Sequence, residues 1–428
     1  MRLGVFSRSE QKILTMTTLV SRSVGAAAYG IRLHNCVIRR SSTLSKSAAE
    51  KLNGVPVPGG GRSFADLVHA RALDVAVDLQ VLRPGDYLDI PYELTITDTF
   101  ADLWHSAFSS HDRLQTSTPF ARKLGFQDRV LPFGLLAFLC ASMSHADKAK
   151  IEVGFGNIQY LWPGFPGDTY TKRFQVQSVR NTSDGAHSII HFECNLYNQR
   201  GRLCMRADKR MLFETRLVEN SLDLHDDVEH DLLRNHILSQ ASILTNESHS
   251  LNHLRQGQLI RHDHARSLTL GQVQQLASLA RLTHPRHFVG PDRLVPSGLI
   301  VGLCQSASAR ELHEVLHEQV LNAQFCNPVR PDATVVGALS YVSQIRPAVH
   351  LGDLEDLTVR TIAVDVASND LPNSLPLELL SSPKPMKPKE LEEFCVAHCP
   401  ELSGRILLQM DRQILRQSTS KPDSVFLL

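Results

Sequence analysis

Side chains able to exchange protons or to hold a carbonyl oxygen gather at two places in this chain, each just ahead of an apolar helix. In the second half, His284-Pro285-Arg286-His287 sets two imidazoles three residues apart, upstream of Ser297 and Gly298. In the first half, Asp112 follows His111 in a polar loop at 111–119, upstream of Gly134. Imidazole is the side chain whose proton affinity lies nearest neutrality, yet two of 20 histidines could equally be polar residues on a surface loop. Asp112 is either a proton-transfer group or a cap for a neighbouring helix. Gly134 and Gly298 stand near helix starts, where backbone N–H groups lack intrahelical acceptors and the dipole is positive. Glycine there lets a ligand approach the backbone, or simply permits tight helix packing. His262-Asp263-His264 has the composition of a metal cluster, but no further ligands are spaced to complete it, and it reads as a solvated linker. No metal or cofactor site is expected, and Gly59-Gly60-Gly61 lies in a linker, away from any phosphate-binding loop.

Both helix starts belong to one repeated stretch. DRVLPFGLLAFLCASMS at 128–144 recurs 164 residues later as DRLVPSGLIVGLCQSAS at 292–308, with nine of seventeen positions identical. Ordered matches at Asp-Arg, Pro, Gly-Leu, Leu-Cys and two serines go beyond the coincidence of leucines in apolar helices and mark an internal duplication.

The elements around each copy follow a common plan. A strand pair joined by Pro84-Gly85-Asp86 at 79–91 precedes a helix from Thr97, and after the central helix at 135–144 the pattern alternates with period two at 151–161, 168–180, 187–198 and 202–213. The second copy repeats this with a helix from 267, a central helix and its approach at 294–316, and strand patterns at 320–325, 334–344, 356–366 and 404–415. One long helix followed by a run of alternating strands implies an α+β arrangement in which an antiparallel sheet wraps the helix. The resulting division is a leader at 1–47, a linker at 48–63, a first domain at 64–216, a polar connection at 217–265 with a helical patch at 232–244, and a second domain at 266–428. An insertion at 368–400, rich in Pro and Lys, reads as a surface loop with a short helix.

Composition narrows the function classes. An apolar fraction of 42% with 21% charged residues describes a folded protein with a sizeable core, and a formal net charge of +1 supplies no drive towards nucleic acid or acidic membrane. Eight cysteines without C-x-x-C spacing read as small buried apolar residues. The leader carries Arg2, Arg8, Lys12, Arg22, Arg32, Arg39, Arg40 and Lys46 against the single acid Glu10. That Arg- and Ser-rich, acid-poor composition implies a mitochondrial presequence, hence a matrix location, with a basic arm as the alternative. Its apolar pieces are too short and too interrupted for a membrane span.

The run Phe120-Ala121-Arg122-Lys123-Leu124-Gly125-Phe126, then Asp128-Arg129 and Gly134-Leu135 before a helix, resembles the MaoC-like hotdog hydratases. Among these are the mitochondrial hydroxyacyl-thioester dehydratases of type 2 and the mesaconyl-CoA hydratase-like proteins, and the resemblance extends over about residues 65–415. It implies a double hotdog, a pseudodimer within one chain with homodimer formation open, acting on acyl thioesters of CoA or acyl carrier protein. The family places an Asp or Asn and, five residues later, a His beside the reacting carbons, and a backbone N–H at the central helix start on the thioester oxygen. His287 matches that His, with His284 or Asp112 as its partner, and Gly298, Ser297 and Gly134 match the carbonyl-binding helix starts. Both copies depart from the pattern: Leu282 occupies the acid position before His287, and the first copy has Gln115 or Thr116 where His is expected. Two functions follow, a mitochondrial 3-hydroxyacyl-thioester dehydratase or enoyl-thioester hydratase of fatty acid synthesis, and a catalytically degenerate hotdog serving as a structural or acyl-binding subunit.

Overall fold

The computed structural model describes residues 78–143, 148–221, 231–244, 254–312, 314–348 and 354–417. The leader at 1–47, the linker at 48–63 and the fold start near 64 lie outside the described residues.

The first half runs β1 (Tyr87–Thr95), α1 (Asp98–Phe108), the short helices α2 (Arg113–Thr116) and α3 (Thr118–Lys123), α4 (Phe133–Ala141), β2 (Ala149–Tyr160), β3 (Thr169–Asn181), β4 (Ser188–Asn198) and β5 (Leu203–Phe213). A short strand β6 (Asn220–Ser221) and helices α5 (Leu232–Ser239) and α6 (Ala241–Leu244) follow. The second half runs β7 (Leu259–Arg266), α7 (Leu270–Leu279), α8 (Ser297–Ser308), β8 (Val315–Phe325), β9 (Val336–Pro347), β10 (Leu354–Asp365), α9 (Leu377–Ser381), α10 (Pro388–His398) and β11 (Ile406–Gln417).

The helix α4 is apolar on every side, and all nine of its residues are buried; a helix with no polar face must be enclosed. Ten of the twelve residues of α8 are buried likewise. The two pack against each other, α4 against β4 and β5, α8 against β7, β9, β10 and β11. The strands form one antiparallel sheet in the order β1-β3-β4-β5-β2-β8-β11-β10-β9-β7, with β6 on β3. That order is palindromic, so a pseudo-twofold axis passes between β2 and β8, where Phe155 pairs with Ala323 and Ile158 with Val320. Arg210 bridges this seam, donating from Nη2 to Phe155 O at 3.0 Å and to Asn322 Oδ1 at 3.2 Å. The expected α+β layer of sheet around long helices is present in both halves.

Three expectations are corrected. Of the strand pair expected at 79–91 only the second member is a strand, β1; Leu79–Val81 forms a 3-10 turn. The polar stretch expected to be a connection up to 265 ends in β7, which pairs with β9 and closes the second half's sheet. Within it His262 is buried, with Nδ1 2.8 Å from Glu311 Oε2 and Nε2 2.8 Å from Ser340 Oγ, so it is a core histidine and no part of a solvated linker. The insertion at 368–400 is likewise more than a loop. Leu371, Leu379, Leu380, Leu391, Cys395 and Cys399 form a second core with Leu339, Ile362 and Val364 of the sheet. Arg360 anchors it, donating to Asp411 at 2.7 and 2.9 Å and to Leu379 O at 3.2 Å. Among the described residues no helix is long and apolar enough to cross a membrane, and no group of His, Cys, Asp and Glu is placed to hold a metal ion.

Candidate active site

The loop before α8 is held in place by its own polar groups. Thr269 caps α7 and closes a capping box with Gln272, which fixes where that helix begins. Beyond α7 the chain forms a single 3-10 turn, Pro285–His287, capped by His284. His284 Nδ1 accepts the Arg286 N–H at 3.1 Å and its Nε2 donates to Ala149 O at 2.9 Å. Both nitrogens are thus engaged, and the imidazole fastens this loop to the start of β2 in the other half. Arg286 Nη1 adds a bond to Lys150 O at 2.5 Å.

His287 is left free to do chemistry. Its Nδ1 donates to Leu294 O at 2.9 Å; a carbonyl can only accept, so the proton sits on Nδ1 and Nε2 carries the lone pair. Burial lowers its pKa to about 4, against a raising effect of that backbone bond, with His284, Lys209 and Arg286 lowering it further. At neutral pH the group is therefore an unprotonated base.

Ser297 and Gly298 open α8 after Pro296. The close packing of α4 demands glycine at 298: a Cβ there would lie 2.8 Å from Phe138 Cδ2 and 3.0 Å from Phe138 Cα. His287, Gly298 and Ser297 all line one cavity of about 440 Å³, with Phe138, Met143, Met211, Leu282, Ile300 and Phe325 as apolar walls. The cavity is built from both halves. The first half contributes Glu152 and Lys209, whose Nζ donates to Ala141 O at 2.6 Å and lies 3.3 Å from Glu152 Oε1.

The pseudo-symmetric place in the first half is filled. The caps Thr97 and Thr269 stand 172 residues apart, and the same offset carries His284 to Asp112 and His287 to Gln115. The geometry agrees, because Asp112 Oδ1 accepts the Val315 N–H at 2.9 Å at the start of β8, as His284 holds Ala149 at the start of β2. Gln115 therefore stands where the second half has His287. The corresponding cavity is only about 50 Å³, lined by Trp104, Phe108, Gly134, Gly302, Gln305 and Asp112 among others. Trp104 and Phe108 occupy the places of Leu276 and Ala280 in the second half. Gln305 of α8 covers the start of α4, where a Cβ on Gly134 would come within 2.5 Å of its Oε1.

The structure thus brings His287, His284, Ser297 and Gly298 to one cavity and puts Asp112 and Gly134 at the other. Asp112 does not meet a ligand opposite His287; its side chain holds β8, and burial pushes its pKa up to about 7. Nor is it a side-chain cap for α2. Glu152 and Lys209 escaped the sequence reading altogether. Their one trace is that the pair recurs as Glu318 and Arg412, 2.6 Å apart at the filled cavity of the first half.

Two central helices wrapped by one palindromic antiparallel sheet define the chain as a double hotdog. Solved structures of that fold superpose on it. A MaoC domain protein assigned as a dehydratase, from Chloroflexus aurantiacus J-10-fl, aligns at TM-score 0.62 and 18% identity over 82% of this chain and all (100%) of its own. A conserved Mycobacterium tuberculosis protein with a double hotdog fold aligns at 0.56 and 15%, over 78% of this chain and 97% of its own. A MaoC-like dehydratase aligns at 0.50 and 11%, over 79% and 99% respectively. No protein-family model and no curated protein matches the sequence.

Proposed function

We propose that the chain is a hydro-lyase that interconverts 3-hydroxyacyl and trans-2-enoyl thioesters at a single site, the cavity of His287 and Gly298. The observation that carries this reading is the unprotonated Nε2 of His287 in an apolar cavity that also holds the start of α8. An acyl chain fits the apolar walls, the thioester oxygen accepts from a free N–H at the helix start, and developing enolate charge meets the positive end of the dipole. His287 Nε2 takes the α-proton in dehydration and returns it in hydration. His284, with both ring nitrogens bonded to the backbone, positions the loop and takes no part in proton transfer. The likeness to MaoC-type dehydratase structures supports the same reading. The Arg-rich leader supports action in the mitochondrial matrix, on acyl chains carried by acyl carrier protein or CoA, as in fatty acid synthesis.

The filled first cavity favours a second reading for that half alone: with Gln115 at the position of His287 and with Trp104 inside, it serves as scaffold for the other. The experiment measures hydration of short trans-2-enoyl-CoA thioesters by the purified chain and by His287→Ala. Turnover in the wild type and a drop of about 10²–10⁴-fold in kcat in the variant are expected. A wild type inert on CoA and carrier-protein thioesters alike would leave the degenerate, acyl-binding reading in its place. Turnover undiminished in the variant would remove His287 from the mechanism.

A further inference from the structure

A dehydration moves two protons, one off the α-carbon and one onto the departing hydroxyl, and the loop of the second half supplies only His287 to handle them. Five residues before it stands Leu282, which cannot exchange a proton. The other candidates on that loop are spoken for: His284 has both nitrogens bonded, and Arg286 holds Lys150 O. The carboxylates on the cavity wall are Asp292 and Glu152. Asp292 is exposed. Glu152 comes from β2 of the opposite half, with its side chain only 16% exposed.

Glu152 also differs from its own pseudo-symmetric counterpart in a way that matters for chemistry. At the filled cavity, Glu318 receives Arg412 Nε at 2.6 Å, while Arg412 Nη1 is held by Ser308 Oγ at 2.9 Å. That is a tight, charge-assisted pair. At the open cavity the arginine is replaced by Lys209, which spends its best hydrogen bond on Ala141 O. Lys209 Nζ stands 3.3 Å from Glu152 Oε1, yet that buried oxygen has no well-directed hydrogen-bond partner. Arg412 directs a hydrogen bond at its carboxylate, whereas Lys209 directs its own at a backbone carbonyl and leaves Glu152 Oε1 open to a substrate hydroxyl.

Resting on the hydro-lyase reading, we propose that Glu152 is the second catalytic group, the acid that protonates the departing hydroxyl opposite His287. Lys209 is its positioning residue. In dehydration the Cα–H bond breaks with its proton going to His287 Nε2, and the electron pair becomes the Cα=Cβ bond. The Cβ–O bond breaks and the oxygen leaves as water with the proton of the Glu152 carboxyl. The imidazolium then returns its proton to the Glu152 carboxylate, and hydration is the same sequence reversed. The active pair therefore carries one proton in either direction.

Burial raises the Glu152 pKa while Lys209 opposes the rise, and burial holds His287 at about 4. The other charged and titratable groups on the same cavity are Lys209, Lys150, Arg286 and Arg330, with Asp292, His284 and Cys326. A one-proton pair predicts a bell-shaped profile: activity falls below about pH 4 as His287 gains a second proton, and falls at high pH as the Glu152 proton is lost.

The test uses the full chain, with trans-2-enoyl-CoA hydration followed by loss of the conjugated thioester absorbance, for wild type, Glu152→Gln and Glu152→Asp. Glu152→Gln is expected to lose about 10²-fold or more in kcat with KM nearly unchanged, and to lose the alkaline limb of the profile. Glu152→Asp should keep that limb with kcat lowered by about tenfold or more, because the carboxyl is withdrawn from the hydroxyl. A purely structural glutamate would shift the melting temperature without touching the limb. Wild-type turnover together with full kcat or an intact alkaline limb in Glu152→Gln overturns this assignment and leaves the hydro-lyase reading standing. Wild type without turnover on CoA or carrier-protein thioesters overturns both. Should Glu152→Gln fail to fold, Glu152→Asp decides, since undiminished kcat there excludes a proton-transfer role.

Discussion

Adding one methyl group at Gly298 separates the two duties of the helix start, packing and chemistry. The backbone there is helical, so alanine brings no conformational strain, and its helix propensity is better than that of glycine. The obstacle is steric: the new Cβ would meet Phe138 Cδ2 at 2.8 Å, Phe138 Cα at 3.0 Å and Phe138 Cβ at 3.2 Å. Comfortable carbon contacts lie at about 3.5–4.0 Å, so α8 must withdraw by roughly half an ångström or more. A rotamer change cannot relieve this, because one of the three atoms is backbone and Phe138 is itself 2% exposed against Trp104. Overpacking of this kind costs about 1–3 kcal/mol.

The effect on turnover is larger. Displacing the N–H groups of α8 from the thioester oxygen by up to about 1 Å costs about 10²-fold in rate, and losing the donor outright costs about 10²–10³-fold. The matched control is Gly134→Ala, at the same point of the first copy. There the Cβ would approach Gln305 Oε1 at 2.5 Å and Trp104 Cζ2 at 3.0 Å, and the nearer group is the end of a flexible side chain. Enoyl thioester hydration and thermal melts on both variants give the comparison. Gly298→Ala should lose about 10²-fold in kcat with a modest drop in melting temperature, and Gly134→Ala should keep full turnover. Equal losses of activity in the two variants, or full activity in Gly298→Ala, would refute the assignment of the carbonyl site to α8.

Trp104→Ala should destabilise the chain by about 3–5 kcal/mol in denaturant melts, as expected for a buried aromatic, while turnover at the His287 cavity persists; Trp104 is only 2% exposed. For Asp112, burial raises the pKa from 3.8 to about 7, so its contribution is full below the unfolded value and is lost as pH rises through the folded one. Asp112→Asn keeps an oxygen for the Val315 N–H and cannot ionise, so the fall in melting temperature between pH 5 and pH 8 should shrink in the variant; an unchanged slope would exclude Asp112 as its source. Arg360→Met strands the buried side of Asp411 and frees Leu379 O, at a cost of about 3–5 kcal/mol, and hydrogen exchange should report loss of protection in α9 and α10 ahead of the two central helices.

What was legible in the sequence was whatever local chemistry dictates. The duplicated helix start and the alternating strands were readable because an enclosed helix must be apolar all round and a half-buried strand must alternate. β7 escaped because five of its eight residues are Arg, His or Asp, and the one polar side chain that turns inward, His262, is satisfied by Glu311 and Ser340 from elements far along the chain. The helical cover at 368–400 escaped for a related reason: Leu379, Leu380, Leu391 and Cys395 show their purpose only against the outer face of the sheet.

The site divides the same way. His287 and Gly298 lie within one continuous segment and could be picked out by residue type and spacing, whereas Glu152 and Lys209 reach the cavity only through the palindromic sheet, which sets each half's β2 or β8 against the other half's loop. The same symmetry explains why the two cavities differ so much in size. α8 presents Gly302 and Gln305 to the first cavity, where Trp104 and Phe108 move in over the glycine and Gln305 covers the start of α4. α4 presents Phe138 and Ala141 to the second, and Leu276 and Ala280 leave the space open. Each helix thus furnishes the N-terminus of one cavity and the wall of the other, so filling the first cavity braces α8 from behind while its start remains exposed to ligand. Neither half can be removed without dismantling the surviving site, which makes the copy with Gln115 in place of the histidine a structural requirement of the copy that keeps His287.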